Sequence, residues 1–207
     1  MLANLYMRRF ILGWKVLGHE RRLRARIVNF ADDFVICCRG SADEAMTTMR
    51  SMMQRLKLTV NDEKTMICRI PEESFDFLGY TIGRCYTYDA GRAFIGTRPS
   101  SDKITRLRRE ISRLTGREWT WLDEETQVAR LNRMMVGWAN YFCLGRVTQA
   151  YRHVTQHAAK RLRRWLRDKH KVRGQRGTSR YSDQYLHETL GLVNLEQHRR
   201  SRSWANA

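Results

Sequence analysis

The 207-residue sequence has only two prolines, Pro71 and Pro99, so no long Pro-rich linker divides it. No apolar run approaches the roughly 20 residues that a membrane-spanning helix needs. At the start, MLANLYMRRF, the apolar residues precede Arg8 and Arg9, the reverse of a secretory leader. The five cysteines (Cys37, Cys38, Cys68, Cys85 and Cys143) form no C-x-x-C pair, which argues against a zinc ribbon or finger. An odd count without framework spacing suits a reducing cytosol and predicts a cytoplasmic protein with no membrane partner. No internal repeat is visible. Acid is scarce: 21 Asp and Glu face 39 Lys and Arg, a net charge of +18. Such a surplus calls for a polyanionic partner, nucleic acid before an anionic membrane surface. It is uneven, with +5 in residues 1–100 and +13 in residues 101–207.

The sequence that is present predicts an α+β layer followed by a helical region. Leu2, Leu5, Tyr6, Phe10 and Ile11 are spaced for one helical face within residues 2–18. Residues 26–30 and 34–39 predict strands, rich in Val and Ile, around Ala31-Asp32-Asp33. Ser41 with Glu44 has the capping-box pattern and opens a helix whose Met-rich stripe, Met46, Met49, Met52 and Met53, fits core packing. Strands are expected at 65–70 and 75–82, with a further hairpin at 86–97 around Asp89-Ala90-Gly91. Beyond Pro99, three amphipathic faces predict a small bundle: Ile104 to Leu114, Leu131 to Phe142, and Val154 to Leu166.

Two features invite chemistry. Asp32 and Asp33 stand side by side between strands, where like charges repel unless a cation joins them. Mg²⁺ takes oxygen ligands and suits one or two carboxylates plus substrate phosphates. Taken on spacing alone, the pair reads first as a solvated turn. The second feature is the run Lys160, Arg161, Arg163, Arg164, Arg167, Lys169 and Lys171, on a helix whose other face holds Leu162, Trp165 and Leu166. Like charges at i,i+3 and i,i+4 destabilise a helix by a few tenths of a kcal/mol per pair. Phosphate contacts would offset this, and Arg makes them as a fork. Arg173 extends the run into a Gly-containing stretch.

FADDF (30–34) resembles the Y/F-x-D-D palm motif of reverse transcriptases, with Phe30 where Tyr is usual. LKLTVNDEKT (56–65) resembles the segment that follows it, FDFLGYTI (75–82) the primer-grip segment, and LANLYM (2–7) the helix upstream. LNRMMVGWANYFCLG (131–145) and AKRLRRWLRDKH (159–170) resemble the maturase-specific thumb of group II intron reverse transcriptases. The order matches over nearly the whole chain.

This resemblance implies a partial polymerase palm over residues 1–98, a thumb over 99–180 and a basic C-terminal tail over 181–207. It assigns Asp32 and Asp33 as Mg²⁺ ligands and as catalytic residues together with Lys64, which would lie near the nucleotide phosphates; a surface lysine is the bland alternative. Phe77, Leu78, Gly79 and Tyr80 match the primer grip. In the maturase signature, Trp138 and Phe142 fit the bundle core, and Tyr141, off that stripe, is the candidate for stacking on unpaired bases. The implied partners are group II intron RNA and a primer-template. The family's palm uses a third carboxylate from an earlier strand, and no residue here matches it. The expectation is therefore a chain without primer extension of its own, needing a separately encoded N-terminal half, or a non-catalytic RNA-binding module, or a relic of a mobile element. No Cys/His cluster follows the maturase segment, so the zinc-dependent endonuclease of some relatives is not expected.

Overall fold

The computed structural model describes residues 2–87, 91–172 and 180–200. It divides into two compact units, residues 1–69 and 70–207.

In the first unit, α1 (Leu2–Val16) and the single turn α2 (His19–Arg22) precede a hairpin of β1 (Ala25–Phe30) and β2 (Asp33–Cys38), followed by α3 (Ala42–Arg55). Ser41 caps α3 as its sequence predicts, its Oγ accepting from the Glu44 N–H at 3.2 Å. Met49, Met52 and Met53 of α3 are buried with Met7, Phe10 and Trp14 of α1. The Trp14 Nε1–H donates to the Ala25 carbonyl at 3.1 Å, which pins the hairpin to α1. One hairpin face, with Ile27, Phe34, Ile36 and Cys38, packs on this core. The other stays open: Val28 is 54% and Phe30 64% exposed. Among the described residues no third strand joins this sheet.

Two expectations at the end of this region are corrected. Residues 65–70 form no strand. Their composition favours extended backbone, but a strand needs a ladder partner, and Met66 is 73% exposed. Residues 75–82 are not one strand but two: β3 (Phe75–Phe77) turns directly into β4 (Tyr80–Tyr86). Leu78 and Gly79 both have positive φ, 51° and 80°, the signature of a two-residue mirror-image turn. Gly79 thus serves a hairpin, not a bulge.

The second unit continues with β5 (Ala93–Pro99), which pairs with β4 over its full length, Tyr80 opposite Pro99 and Tyr86 opposite Ala93. The turn expected around Asp89-Ala90 lies outside the described residues. The bundle consists of α4 (Ser101–Leu114), α5 (Glu124–Tyr141), α6 (Thr148–Lys169) and the short α7 (Leu195–Arg200). Ser100 and Asp123 cap α4 and α5 through the N–H groups of Lys103 and Thr126. Ile111, Leu131, Met135, Leu162, Trp165 and Leu166 are buried at its centre. The Tyr151 hydroxyl, buried, donates toward the carbonyls of Ala139 (2.8 Å) and Phe142 (2.9 Å) at the end of α5.

Within the stretch read as a basic tail, Tyr181, Leu186, Leu192 and Leu195 are buried in the bundle core. The Asn132 side chain holds this segment from both sides, donating to the Gly191 carbonyl and accepting from the Val193 N–H, each at 2.8 Å. No helix among the described residues is long and apolar enough to cross a membrane.

Candidate nucleic-acid interface

The hairpin of the first unit has the tightest possible tip. Phe30 is paired with Asp33, so only Ala31 and Asp32 form the turn, and Asp33 is the first residue of β2. Side chains of paired residues share a face. Asp33 therefore belongs to the open face with Phe30, Val28 and Val35. Ala31 has φ 54°, in the left-handed region where an L side chain is strained by roughly 1–2 kcal/mol. Both aspartates are exposed, and among the described residues neither carboxylate has a hydrogen-bond or ion-pair partner.

Oxygen donors of this kind suit a hard divalent ion, but two are too few to enclose one. No group of three or more acidic, His or Cys side chains that could hold a metal occurs among the described residues. Lys64 lies in the loop after α3, its N–H on the Asn61 Oδ1 at 3.2 Å and its side chain exposed. No hydrogen bond or ion pair joins it to Asp32 or Asp33. Its neighbour Asp62 pairs with Arg50 at 2.5 Å.

In the second unit the Phe77–Tyr80 segment is fastened to the bundle. The Tyr80 hydroxyl donates to the Tyr141 carbonyl at 2.6 Å, and the Tyr141 hydroxyl donates back to the Leu78 carbonyl at 3.1 Å. Burial holds the Tyr80 phenol above its usual pKa, so this donor keeps its proton at neutral pH. Phe142 lies 5.1 Å from the Tyr80 ring. A Cβ on Gly79 would come within 3.1 Å of side-chain atoms of both Phe142 and Lys103, so the tight space adds to the positive φ in favouring glycine. Gly145, φ 73°, brings the α5–α6 connection onto β5, where the Arg146 N–H donates to the Thr97 carbonyl at 2.8 Å. Trp138 and Phe142 pack with the bundle as expected, 4.9 Å apart. Tyr141 is 57% exposed, but its hydroxyl is spent on the turn.

The cationic residues of α6 fall into two sets. Arg161 donates to the Thr115 hydroxyl (3.0 Å) and to the carbonyls of Ser112 (2.8 Å) and Thr115 (3.3 Å), closing the C-terminus of α4. Arg163 donates to the Tyr181 carbonyl at 2.7 Å and pairs with Asp183. Lys169 donates to the carbonyls of Thr120 and Leu122 at 3.1 and 2.7 Å. These three brace the bundle. Lys160, Arg164 and Lys171 are exposed and make no such bond. Arg167 is half-buried with its Nε unpartnered, and Asp168 beside it pairs with Arg117. Arg173 lies outside the described residues. Helical period alone could not separate the two sets, because both are polar positions. Sequence reasoning passed over Trp121, 72% exposed beside this helix; its signal was the aromatic-rich REWTW between two predicted helices.

A strained hairpin tipped by unpaired carboxylates and a bundle with a cationic helix face are the two candidate features for contact with nucleic acid. Comparison with protein families makes the class specific. Residues 1–82 match the reverse transcriptase (RNA-dependent DNA polymerase) model, and residues 104–182 match the group II intron, maturase-specific domain. The chain belongs to the group II intron reverse transcriptase/maturases, carrying part of the reverse transcriptase domain. The reverse transcriptase match runs through the Leu78-Gly79 turn. Comparison with curated proteins gives no match.

Proposed function

We propose that this chain grips group II intron RNA through the outward face of α6 and contributes two Mg²⁺ ligands, but not a complete ligand set, to reverse transcription. The observation that carries the reading is the succession of the two domain matches, with the maturase-specific match covering the exposed cations Lys160, Arg164 and Lys171. Asp32 and Asp33 would hold Mg²⁺, which when bound neutralises phosphate charge during phosphoryl transfer. Lys64 would face those phosphates. The Phe77–Tyr80 turn, held rigid by Tyr141, would position a primer strand on the sheet. Primer-template is thus a partner alongside intron RNA, and a separately encoded segment supplying a third carboxylate would complete the metal site. The free cysteines support a cytoplasmic setting.

The test is RNA binding by the 207-residue chain across a salt series. The chain should bind intron RNA with a steep salt dependence. The triple variant Lys160→Ala, Arg164→Ala, Lys171→Ala should lower the slope of log K against log salt by about 2–3, the value for three lost phosphate contacts. A flat profile in the unaltered chain sinks the reading. For the metal, two carboxylates should bind Mg²⁺ only weakly, and primer extension should stay at background. Extension abolished by Asp32→Ala would overturn that part.

A further inference from the structure

We infer that Trp121 is a stacking platform for an unpaired RNA base beside the cationic end of α6. This rests on the RNA-binding reading and adds to it a residue and a preference for single strands. A tryptophan is well buried on average, whereas Trp121 is 72% exposed. Its exposure does not come from a loose loop. Lys169 reaches across from α6 to the carbonyls on both sides of it, Thr120 and Leu122. The Thr120 hydroxyl donates to the Arg117 carbonyl at 2.8 Å, and Leu122 packs against the bundle core. Trp119 lies 6.4 Å from the Trp121 ring and is itself covered by the Arg130 guanidinium, 4.4 Å from its centroid.

The fold thus spends a lysine on holding the backbone on both sides of an apolar ring in water. Glu118, Asp123, Glu124 and Glu125 flank the ring in sequence, but Asp123 caps α5 and Glu124 pairs with His170, and the helix that holds the segment is cationic. Arg117 is 84% exposed, and the acid it approaches, Asp168, is already engaged by it. Lys160 and Arg164 are exposed on α6, and Lys171 just beyond its end. A flat aromatic face on a segment fastened to a cationic helix fits a ligand with both π-faces and phosphates, which is single-stranded RNA. In a duplex the bases are already stacked and offer no free face.

The full chain is titrated with a short labelled oligouridylate and with an RNA duplex of equal length. Trp121→Leu should weaken oligouridylate binding roughly 5- to 150-fold, the span one stacked base contributes. Duplex binding and the salt slope should be unchanged, because no charge is lost. Trp121→Phe should retain most of the affinity. An unchanged urea midpoint in both variants shows that the bundle is intact. Equal losses on both RNAs, or none on either, overturn the inference while leaving the RNA-binding reading standing. Self-association that disappears in Trp121→Leu with RNA affinity intact makes the ring a protein contact and also overturns it. No salt-dependent binding by the unaltered chain removes the RNA-binding reading and this inference together.

Discussion

The two units treat their charged and strained groups in opposite ways. In residues 70–207 several polar side chains brace the fold. Arg161, Arg163 and Lys169 close carbonyl ends, Tyr151 closes α5, and Asn132 holds the last segment. In residues 1–69 the hairpin tip is left unsatisfied, with a left-handed alanine and two unpartnered aspartates on an open face. On the proposed function, the unit that would grip a polymer can spend its polar groups on the fold, while the unit that would help to hold an ion has to keep some ligands unspent. Unused carboxylates and local strain are therefore expected where chemistry is to be completed by something bound.

Four substitutions sharpen or break this contrast. The largest effect is expected at Arg161. Arg161→Ala removes a guanidinium shared by three acceptors and should destabilise the second unit by about 2 kcal/mol in urea unfolding, since hydrogen bonds to charged groups contribute roughly 1.5–3 kcal/mol. Arg164→Ala, one turn on, should stay within about 0.5 kcal/mol and lose RNA affinity instead. Equal stability losses at the two positions would erase the division of α6 into bracing and outward cations. Next comes Tyr141→Phe, which deletes one phenol-to-carbonyl bond and should cost about 1 kcal/mol. It should also speed amide exchange around Leu78; unchanged exchange there would show the clasp to be incidental. The smallest effect has the opposite sign. Ala31→Gly relieves a positive φ and should stabilise the first unit by about 0.5–1 kcal/mol, after the entropy that glycine gives back to the unfolded chain. If Ala31→Gly destabilises the unit, the tip is not strained.

What could be read from the sequence followed from local rules. The Ser41 cap, the Met stripe of α3 and the three bundle helices all come from nearest-neighbour chemistry, and the structure shows each. The hairpin around Asp32 was also readable, because its strands alternate against a single short turn. The failures are of two kinds. Residues 65–70 have strand composition, but no ladder partner appears, and partner availability is not a local property. At Phe77–Tyr80 the apolar run reads as one continuous strand, while the positive φ of Leu78 and Gly79 makes these two residues a turn. The tertiary tasks of Arg161, Arg163 and Lys169 are hidden for the same reason as the exposure of Trp121. A helical wheel shows which positions are polar, but not which carbonyls of another element wait opposite them. Residues that carry a motif, Asp32, Asp33 and Gly79, stand out in the sequence as candidates; contacts defined by reach across the bundle do not.

The paired tyrosines between the Leu78 turn and the end of α5 have a mechanical consequence. Because the Tyr80 phenol holds the Tyr141 backbone and the Tyr141 phenol holds the Leu78 backbone, the turn and the end of α5 are tied at two points and tend to move together. On the proposed function, a strand seated against the bundle would bias the pose of the loop beside it.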